Sequence, residues 1–153
     1  MASSTQGFYR RHSNKSPLLT TVTKVVFITK IMPILFIGKT NLRNDSIKEL
    51  IRARDGNDVN HIDPQQLTAF VNKNSGNKNR YQTIIIDLHS FALPPLKVIS
   101  LIRDSVKIKR LIVINGPGQE SKLEPIIKNR TNYYLPHNFE IEELFKALEK
   151  QLQ

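Results

Sequence analysis

Asp87 is the residue of this chain whose position most clearly suggests chemistry. It follows three consecutive β-branched apolar residues, Ile84, Ile85 and Ile86. A continuous apolar run of this kind is typical of a strand that is buried on both faces of a parallel sheet. In open α/β sheets, ligands and reacting groups lie beyond the carboxyl ends of the strands. The sequence therefore predicts that Asp87 stands at a functional edge of a sheet.

Other polar residues are expected near the same edge. His89, Asn115 and His137 each follow a predicted strand, and His61 lies on or beside a neighbouring one. Imidazoles beside a carboxylate can bind zinc or act as a proton-sensitive switch. The ordinary alternative is that isolated loop histidines are polar surface, and the sequence favours no metal site.

Lys39 is the cation expected nearest to Asp87, and two roles are open to it. It can form a salt bridge with Asp87, or it can help the turn 115–118 (Asn-Gly-Pro-Gly) to hold an anion through backbone amides. The salt bridge is the favoured structural interpretation, because one Gly-Pro-Gly sequence is a weak phosphate motif.

The elements that must position these residues alternate between strand and helix. Apolar runs and their spacing predict strands at 32–38, 58–62, 81–87, 110–115 and 133–135, with helices at 44–52, 63–71, 94–106, 123–128 and 140–152. Five such alternations favour a doubly wound, parallel, five-stranded sheet in a three-layer α/β/α arrangement.

Two helix starts can be predicted from their capping residues. Ser46 and Glu49 have the spacing of a capping box for the first helix. Asp63, Pro64 and Gln66 form a second box, with Asp63 as the N-cap and Pro64 at the first helical position.

Composition limits the class of protein. A chain of 153 residues, 39% hydrophobic and 24% charged, suits one globular domain, and the absence of cysteine excludes disulfides and thiolate metal sites. The sequence contains no run of eighteen apolar residues, so it predicts no membrane span. The formal charge of +10 attracts polyanions, although a solvated basic surface explains it equally well.

The charge divides the chain into two parts. Residues 1–31 contain five basic and no acidic residues, and we expect them to form a mostly flexible extension with one β-prone stretch at 21–29. This composition faintly resembles an organelle transit peptide. Residues 32–153 carry the predicted domain.

The element order, the sequence Ile-Ile-Ile-Asp87-Leu, the strand ending at Asn115 and the sequence Tyr-Leu-Pro-His-Asn-Phe139 before an amphipathic last helix resemble one family. This is the CheY-like receiver domain of bacterial response regulators, and the resemblance covers the chain from Met32 onward. It implies a flavodoxin-like (βα)5 fold. In receivers an Asp at the end of the third strand accepts a phosphoryl group, and Asp87 matches that position.

The sequence departs from receivers at the residues that perform phosphoryl transfer. Gly38 and Lys39 stand where receivers have an acidic pair that binds Mg²⁺, and Mg²⁺ requires hard oxygen ligands. Asn115 replaces a Ser or Thr, and His137 replaces a Lys. The resemblance therefore implies a degenerate pseudo-receiver that is non-enzymatic, needs no cofactor and acts in cytoplasmic signalling or transcription regulation through protein contacts.

The resemblance also indicates where partners bind. Asn115, Tyr134 and His137 occupy the switch-equivalent positions, and Tyr133, Tyr134 and Phe139 match the interface of the fourth helix, fifth strand and fifth helix. A kinase, a regulator or a second copy of the chain is the expected partner. The alternatives are a basic protein that binds nucleic acid or another polyanion, and an atypical response regulator phosphorylated on Asp87. A small enzyme ranks last, because no nucleophile and base can be paired.

Overall fold

The computed structural model describes residues 33–76, 78–116 and 124–149. The predicted extension at 1–31, its candidate strand at 21–29, the Pro117-Gly118 part of the predicted turn, and Leu152 lie outside these ranges. None of the helices in these ranges has the length and apolar character needed to cross a membrane.

The described residues form alternating strands and helices. The strands are β1 (Ile34–Ile37), β2 (Val59–Ile62), β3 (Thr83–Asp87), β4 (Arg110–Ile114) and β5 (Tyr133–Leu135). The α-helices are α1 (Leu42–Asp55), α2 (Leu67–Lys73), α3 (Pro95–Ser105), α4 (Glu124–Arg130) and α5 (Ile141–Glu149). All strand pairs are parallel in the order β2-β1-β3-β4-β5, which confirms the predicted doubly wound sheet.

The apolar runs of the sequence become the central strands. Every residue of β1, β3 and β4 is buried, because these strands are covered by helices on both faces. One core packs α2, α3 and α4 against one face of the sheet, and its helical members are Leu67, Val71, Val98, Ile99, Ile102 and Ile127. The other core packs α1 and α5 against the opposite face through Ile47, Ile51, Leu144 and Ala147.

The start of α1 differs from the prediction. Asn41 is the N-cap, and its side chain accepts a hydrogen bond from the Asn44 amide at 2.8 Å. Ser46 lies inside the helix, where its hydroxyl donates to the carbonyl of Leu42 at 2.7 Å. The predicted Ser46–Glu49 capping box is therefore wrong, and the helix begins about one turn earlier. This shift brings Asn44 onto the buried face of α1.

The predicted start of the second helix is confirmed. The turn before α2 has the capping box of Asp63 and Gln66, in which the Asp63 amide donates to Gln66 Oε1 at 2.8 Å and Pro64 opens the helical turn. Gly56 ends α1 with φ 65°, a left-handed conformation that glycine adopts without steric cost.

Candidate functional site at the carboxyl edge of the sheet

Asp87 ends β3 and is enclosed, with only 3% of its surface exposed. One carboxylate oxygen, Oδ2, accepts hydrogen bonds from Asn44 Nδ2 at 3.1 Å and from Ser90 Oγ at 2.8 Å. The other oxygen, Oδ1, accepts from the His89 amide at 3.3 Å. A buried carboxylate needs such donors to offset the loss of water. Asp87 obtains them from neutral groups.

The side chains of Asn44 and Ser90 also bind the backbone of the loop that follows β1. Asn44 Nδ2 also donates to the Lys39 carbonyl at 2.8 Å, and the Lys39 amide donates to Ser90 Oγ at 2.8 Å. The amide orientation of Asn44 follows from these partners, since the reverse orientation would direct its oxygen at two acceptors. Asn44 Oδ1 is buried and has no hydrogen-bond partner among the described residues.

The predicted salt bridge between Lys39 and Asp87 is wrong. Lys39 is exposed, and no ion pair within 4.0 Å joins it to Asp87 in the described part of the chain. The backbone of Lys39, rather than its ammonium group, faces the site. Its amide and carbonyl are bound by Ser90 and Asn44, and the side chain stays in water.

Gly38, which was predicted to stand at the first position of a degenerate acidic pair, is tightly surrounded. A Cβ atom there would lie 3.0 Å from Phe36 Cε1, 3.1 Å from Asn44 Nδ2 and 3.1 Å from Asp87 Cβ. These distances are tighter than ordinary van der Waals contact. A side chain at position 38 would therefore require Phe36, Asn44 and Asp87 to shift by a few tenths of an ångström.

A buried lysine supports this loop from the side of β2. Lys48 Nζ lies 3.2 Å from Asp45 Oδ1 and 2.6 Å from His61 Nδ1, while His61 Nε2 lies 2.6 Å from the Gly38 carbonyl. Because a carbonyl can only accept, His61 must carry its proton on Nε2 and accept from Lys48 through Nδ1. Sequence reasoning placed His61 near this edge but missed Lys48. The sequence feature that indicates Lys48 is its position four residues after Asn44, which places both side chains on the same face of α1.

The two other predicted histidines meet at the same edge. The rings of His89 and His137 stand edge to face with centroids 6.0 Å apart. Arg43 holds His137 in place, since its guanidinium donates to the His137 carbonyl, lies 3.2 Å from His137 Nδ1 and covers the Phe139 ring at 5.5 Å. Within the described ranges no three His, Cys, Asp or Glu side chains converge on a point where they could hold a metal ion.

Asn115 and Tyr134, which were predicted to be switch-equivalent, are joined directly by a hydrogen bond. Asn115 is fully buried at the end of β4, and its Nδ2 donates to the Tyr134 hydroxyl at 2.5 Å. Gly116 follows under His89, where a Cβ atom would lie 3.2 Å from the His89 side chain. The remainder of the Gly-Pro-Gly turn lies beyond the described residues, so the anion site at 115–118 stays a prediction.

The candidate interface residues separate into two clefts. Tyr133 and Tyr134 line a cleft of ≈ 430 Å³ between β5 and α5, together with Glu143 and Lys146. Phe139 lies instead in a cleft of ≈ 420 Å³ between α1 and the loop before α5. All three aromatic rings are half-buried and pack against the two cores.

A third cleft of ≈ 680 Å³ opens beside Asp87 without reaching it. It is lined by the loops after β1 and β3 and by the turn before α2, through residues that include Lys39, Asp63, Ser90 and Leu93. Asp87 is not part of its wall, because Ser90 and Asn44 cover the carboxylate.

Comparisons with known proteins give a match at the level of structure. No family model matches the sequence, and no curated protein matches it significantly. The receiver domain of a sensor histidine kinase from Pseudomonas aeruginosa, which has a magnesium ion in its active-site cleft, is 21% identical with a TM-score of 0.58, over 78% of this chain and 95% of that chain.

Two further solved structures have the same fold. A DNA-binding response regulator of the LuxR family from Staphylococcus aureus is 17% identical with a TM-score of 0.59, over 77% of this chain and 96% of that chain. A chemotaxis response regulator from Vibrio cholerae is 16% identical with a TM-score of 0.58, over 78% and 97%. The chain therefore has the fold of the CheY-like receiver domain, and the predicted resemblance is confirmed.

The residues at this edge do not fit the Mg²⁺ ion that the fold family implies. Mg²⁺ needs near-octahedral oxygen ligands, normally carboxylates and water. Among the described residues Asp87 is the one carboxylate at this position, and both of its oxygens already accept hydrogen bonds from protein donors. Asn44 turns its amide nitrogen, a donor, toward Asp87 Oδ2, where a receiver needs an acceptor.

Proposed function

We propose that this chain is a pseudo-receiver, a non-enzymatic signalling or transcription-regulating domain that acts through protein contacts without Mg²⁺-dependent phosphorylation of an aspartate. The observation that carries the proposal is the closure of Asp87 by Asn44 and Ser90. Phosphoryl transfer depends on positioned charge, supplied largely by metal and lysine. In this chain Gly38 and Lys39 stand at the positions matched to the acidic pair, and His137 stands at the position matched to the catalytic-site lysine.

The hydrogen bonds around Asp87 support a fixed rather than a switched edge. In this proposal, Asn44 and Ser90 hold the loop after β1 in one arrangement without a metal ion. The Asn115–Tyr134 hydrogen bond similarly keeps one arrangement of β4 and β5. The domain then presents a constant surface, and its regulation comes from the partner.

We place the protein contact on the face formed by α4, β5 and α5. Its cleft combines Tyr133 and Tyr134 with charged residues of α5, and tyrosines in such positions are common at protein interfaces. The partner is a kinase, a regulator or a second copy of the chain. Sedimentation velocity tests the last of these: a dimer that dissociates when Tyr133→Ser is introduced supports it, and a monomer at all concentrations removes it.

The main test is phosphorylation of the full chain. The chain is incubated with Mg²⁺ and acetyl phosphate, and separately with Mg²⁺ and beryllofluoride, beside a phosphorylatable receiver treated in the same way. We expect no phospho-aspartate by mass spectrometry and no Mg²⁺-dependent shift of the amide signals around Asp87.

The opposite result would identify an atypical response regulator. Stoichiometric phosphorylation that disappears in the Asp87→Asn variant would overturn the pseudo-receiver proposal. Incorporation that persists in that variant would come from another residue and would leave the proposal in place.

A further inference from the structure

Two segments of the domain are basic and contain no acidic residue. Residues 64–86 carry Lys73, Lys78 and Arg80, and residues 105–116 carry Lys107, Lys109 and Arg110. The first five of these cations are exposed, whereas Arg110 is buried. None of the five lies within 4.0 Å of a carboxylate in the described ranges. Both segments lead into central strands, β3 and β4.

The structure joins these segments into one surface. Gly76 pairs with Val106 in an isolated β-bridge, and its amide donates to the Ser105 carbonyl at 3.2 Å. Asn79 Nδ2 donates to the Lys107 carbonyl at 3.0 Å. The five exposed cations therefore stand together at the amino-terminal edge of the sheet, and we call them the basic edge.

Three of the cations of the basic edge line a cleft of ≈ 540 Å³. These cations are Lys73, Lys78 and Arg80. The cleft is also lined by the half-buried Phe70 and the buried Tyr81, and by the amide side chains of Gln66 and Asn74. No acidic residue contributes to the wall among the residues that the structure describes. The cleft thus combines cations for phosphate groups with amides that can bind base edges.

Arg80 presents a flat, oriented cation at this cleft. Its guanidinium lies over the Tyr81 ring, 5.0 Å from the centroid, and donates to the Tyr81 hydroxyl at 3.1 Å. This hydrogen bond raises the pKa of Arg80, and the nearby charge of Asp58 adds a smaller effect in the same direction. A guanidinium held in this way can stack on a nucleobase while its charge faces a phosphate.

We propose that the cleft beside the basic edge binds single-stranded nucleic acid, with Lys73 and Lys78 on the phosphates and Arg80 stacked on a base. An anionic membrane is a poorer match, because surface-binding proteins also insert apolar side chains. The large exposed apolar side chains among the described residues, Leu42, Leu50, Leu93 and Ile126, line no part of this cleft.

The test measures binding of the full chain to fluorescent oligonucleotides at several salt concentrations. The Lys73→Gln/Lys78→Gln variant is compared with Lys97→Glu, which lowers the net charge by the same two units at an exposed position elsewhere. We expect the first variant to bind a single strand about tenfold more weakly at low salt, with a salt slope smaller by about 1.4. The second variant should bind like the unmodified chain. Both retain the basic residues 1–31, so that segment cannot cause the difference.

A substitution of Arg80 distinguishes the contribution of stacking to binding from the contribution of charge. Arg80→Lys keeps the charge but loses the plane, so we expect weaker binding at an unchanged salt slope. Equal losses in Lys73→Gln/Lys78→Gln and Lys97→Glu, no binding by the unmodified chain, or stronger binding to a duplex or to anionic vesicles than to the single strand would each overturn the proposal. None of these results bears on the closure of Asp87, so the pseudo-receiver proposal is tested separately.

Discussion

The two edges of the sheet treat charge in opposite ways. At the carboxyl edge, Asp87 is buried and its oxygens are bound by neutral donors from Asn44, Ser90 and a backbone amide. At the amino-terminal edge, the cations of the basic edge stand in water without carboxylate partners in the described ranges. The buried Asp87 therefore stabilises the fold at the carboxyl edge, whereas the exposed cations of the basic edge are available to bind a partner.

This difference means that polar substitutions should have very different costs at the two edges. A buried hydrogen-bonded network loses stability when one member is removed, because its partners are left unsatisfied. Exposed charges contribute little to stability. Chemical denaturation of matched variants can therefore test whether the two edges differ in this way.

The largest effect is expected for Gly38→Asp. The new side chain would meet Asn44 and Asp87 and would bring a second carboxylate into a closed site, so we expect the free energy of unfolding to fall by about 3 kcal/mol or more. Gly38→Ala adds the steric contact alone and should cost about 1–3 kcal/mol. If Gly38→Asp were as stable as the unmodified chain and bound Mg²⁺, the site would be open rather than filled.

Asn44→Ala should have the next largest effect. It removes the donor shared by Asp87 and the Lys39 carbonyl, and we expect a loss of about 2–3 kcal/mol, since hydrogen bonds to buried charged groups are the costly ones to break. Asn72→Ala, at an exposed position of α2, is the control and should change stability by less than about 0.5 kcal/mol. Equal effects of the two variants would contradict the description of Asp87 as an enclosed group.

Lys48→Met should cost less. It keeps the buried aliphatic stem but removes the ammonium group between Asp45 and His61, and we expect a loss of about 1 kcal/mol. The imidazole nitrogen signals of His61, measured by NMR, should also change, because Nδ1 loses its donor. Lys97→Met at an exposed position provides the comparison. Unchanged His61 signals in Lys48→Met would contradict the proposed tautomer.

The smallest effect on stability is expected at the basic edge. Lys73→Gln/Lys78→Gln should change the free energy of unfolding by less than about 0.5 kcal/mol at moderate salt. At low salt the variant should be slightly more stable than the unmodified chain, because repulsion among the cations is relieved. A large loss of stability would show that these lysines hold the fold.

The sequence was sufficient to predict the fold because its local signals agree with one another. The apolar runs of β1, β3 and β4, the Asp63 capping box and the spacing of Val98, Ile99 and Ile102 each favour the observed arrangement. The first helix start was wrong for a physical reason. Asn41 and Ser46 both belong to residue types that cap helices, and sequence alone does not decide which one meets the free amides.

The site was predicted only in part. The position of Asp87 follows from strand order, which the apolar runs determine. The contacts of Asn44 and Ser90 with Asp87 depend on how α1 and the turn after β3 pack across the sheet. The exposure of Lys39 has the same origin. The backbone of Lys39 is bound by Ser90 and Asn44, which are distant in the sequence. The sequence pattern does not reveal these contacts, so a salt bridge of Lys39 with Asp87 was predicted instead.

Helix α1 connects more of the domain than its length suggests. Arg43 is hydrogen-bonded to the loop before α5, and Asn44 is hydrogen-bonded to Asp87 at the end of β3. Lys48 contacts His61 near the end of β2. Near its other end, Arg54 forms an ion pair with Glu149 in α5. Helix α1 therefore ties three strand-end segments and a second helix together, so that they keep one arrangement relative to each other.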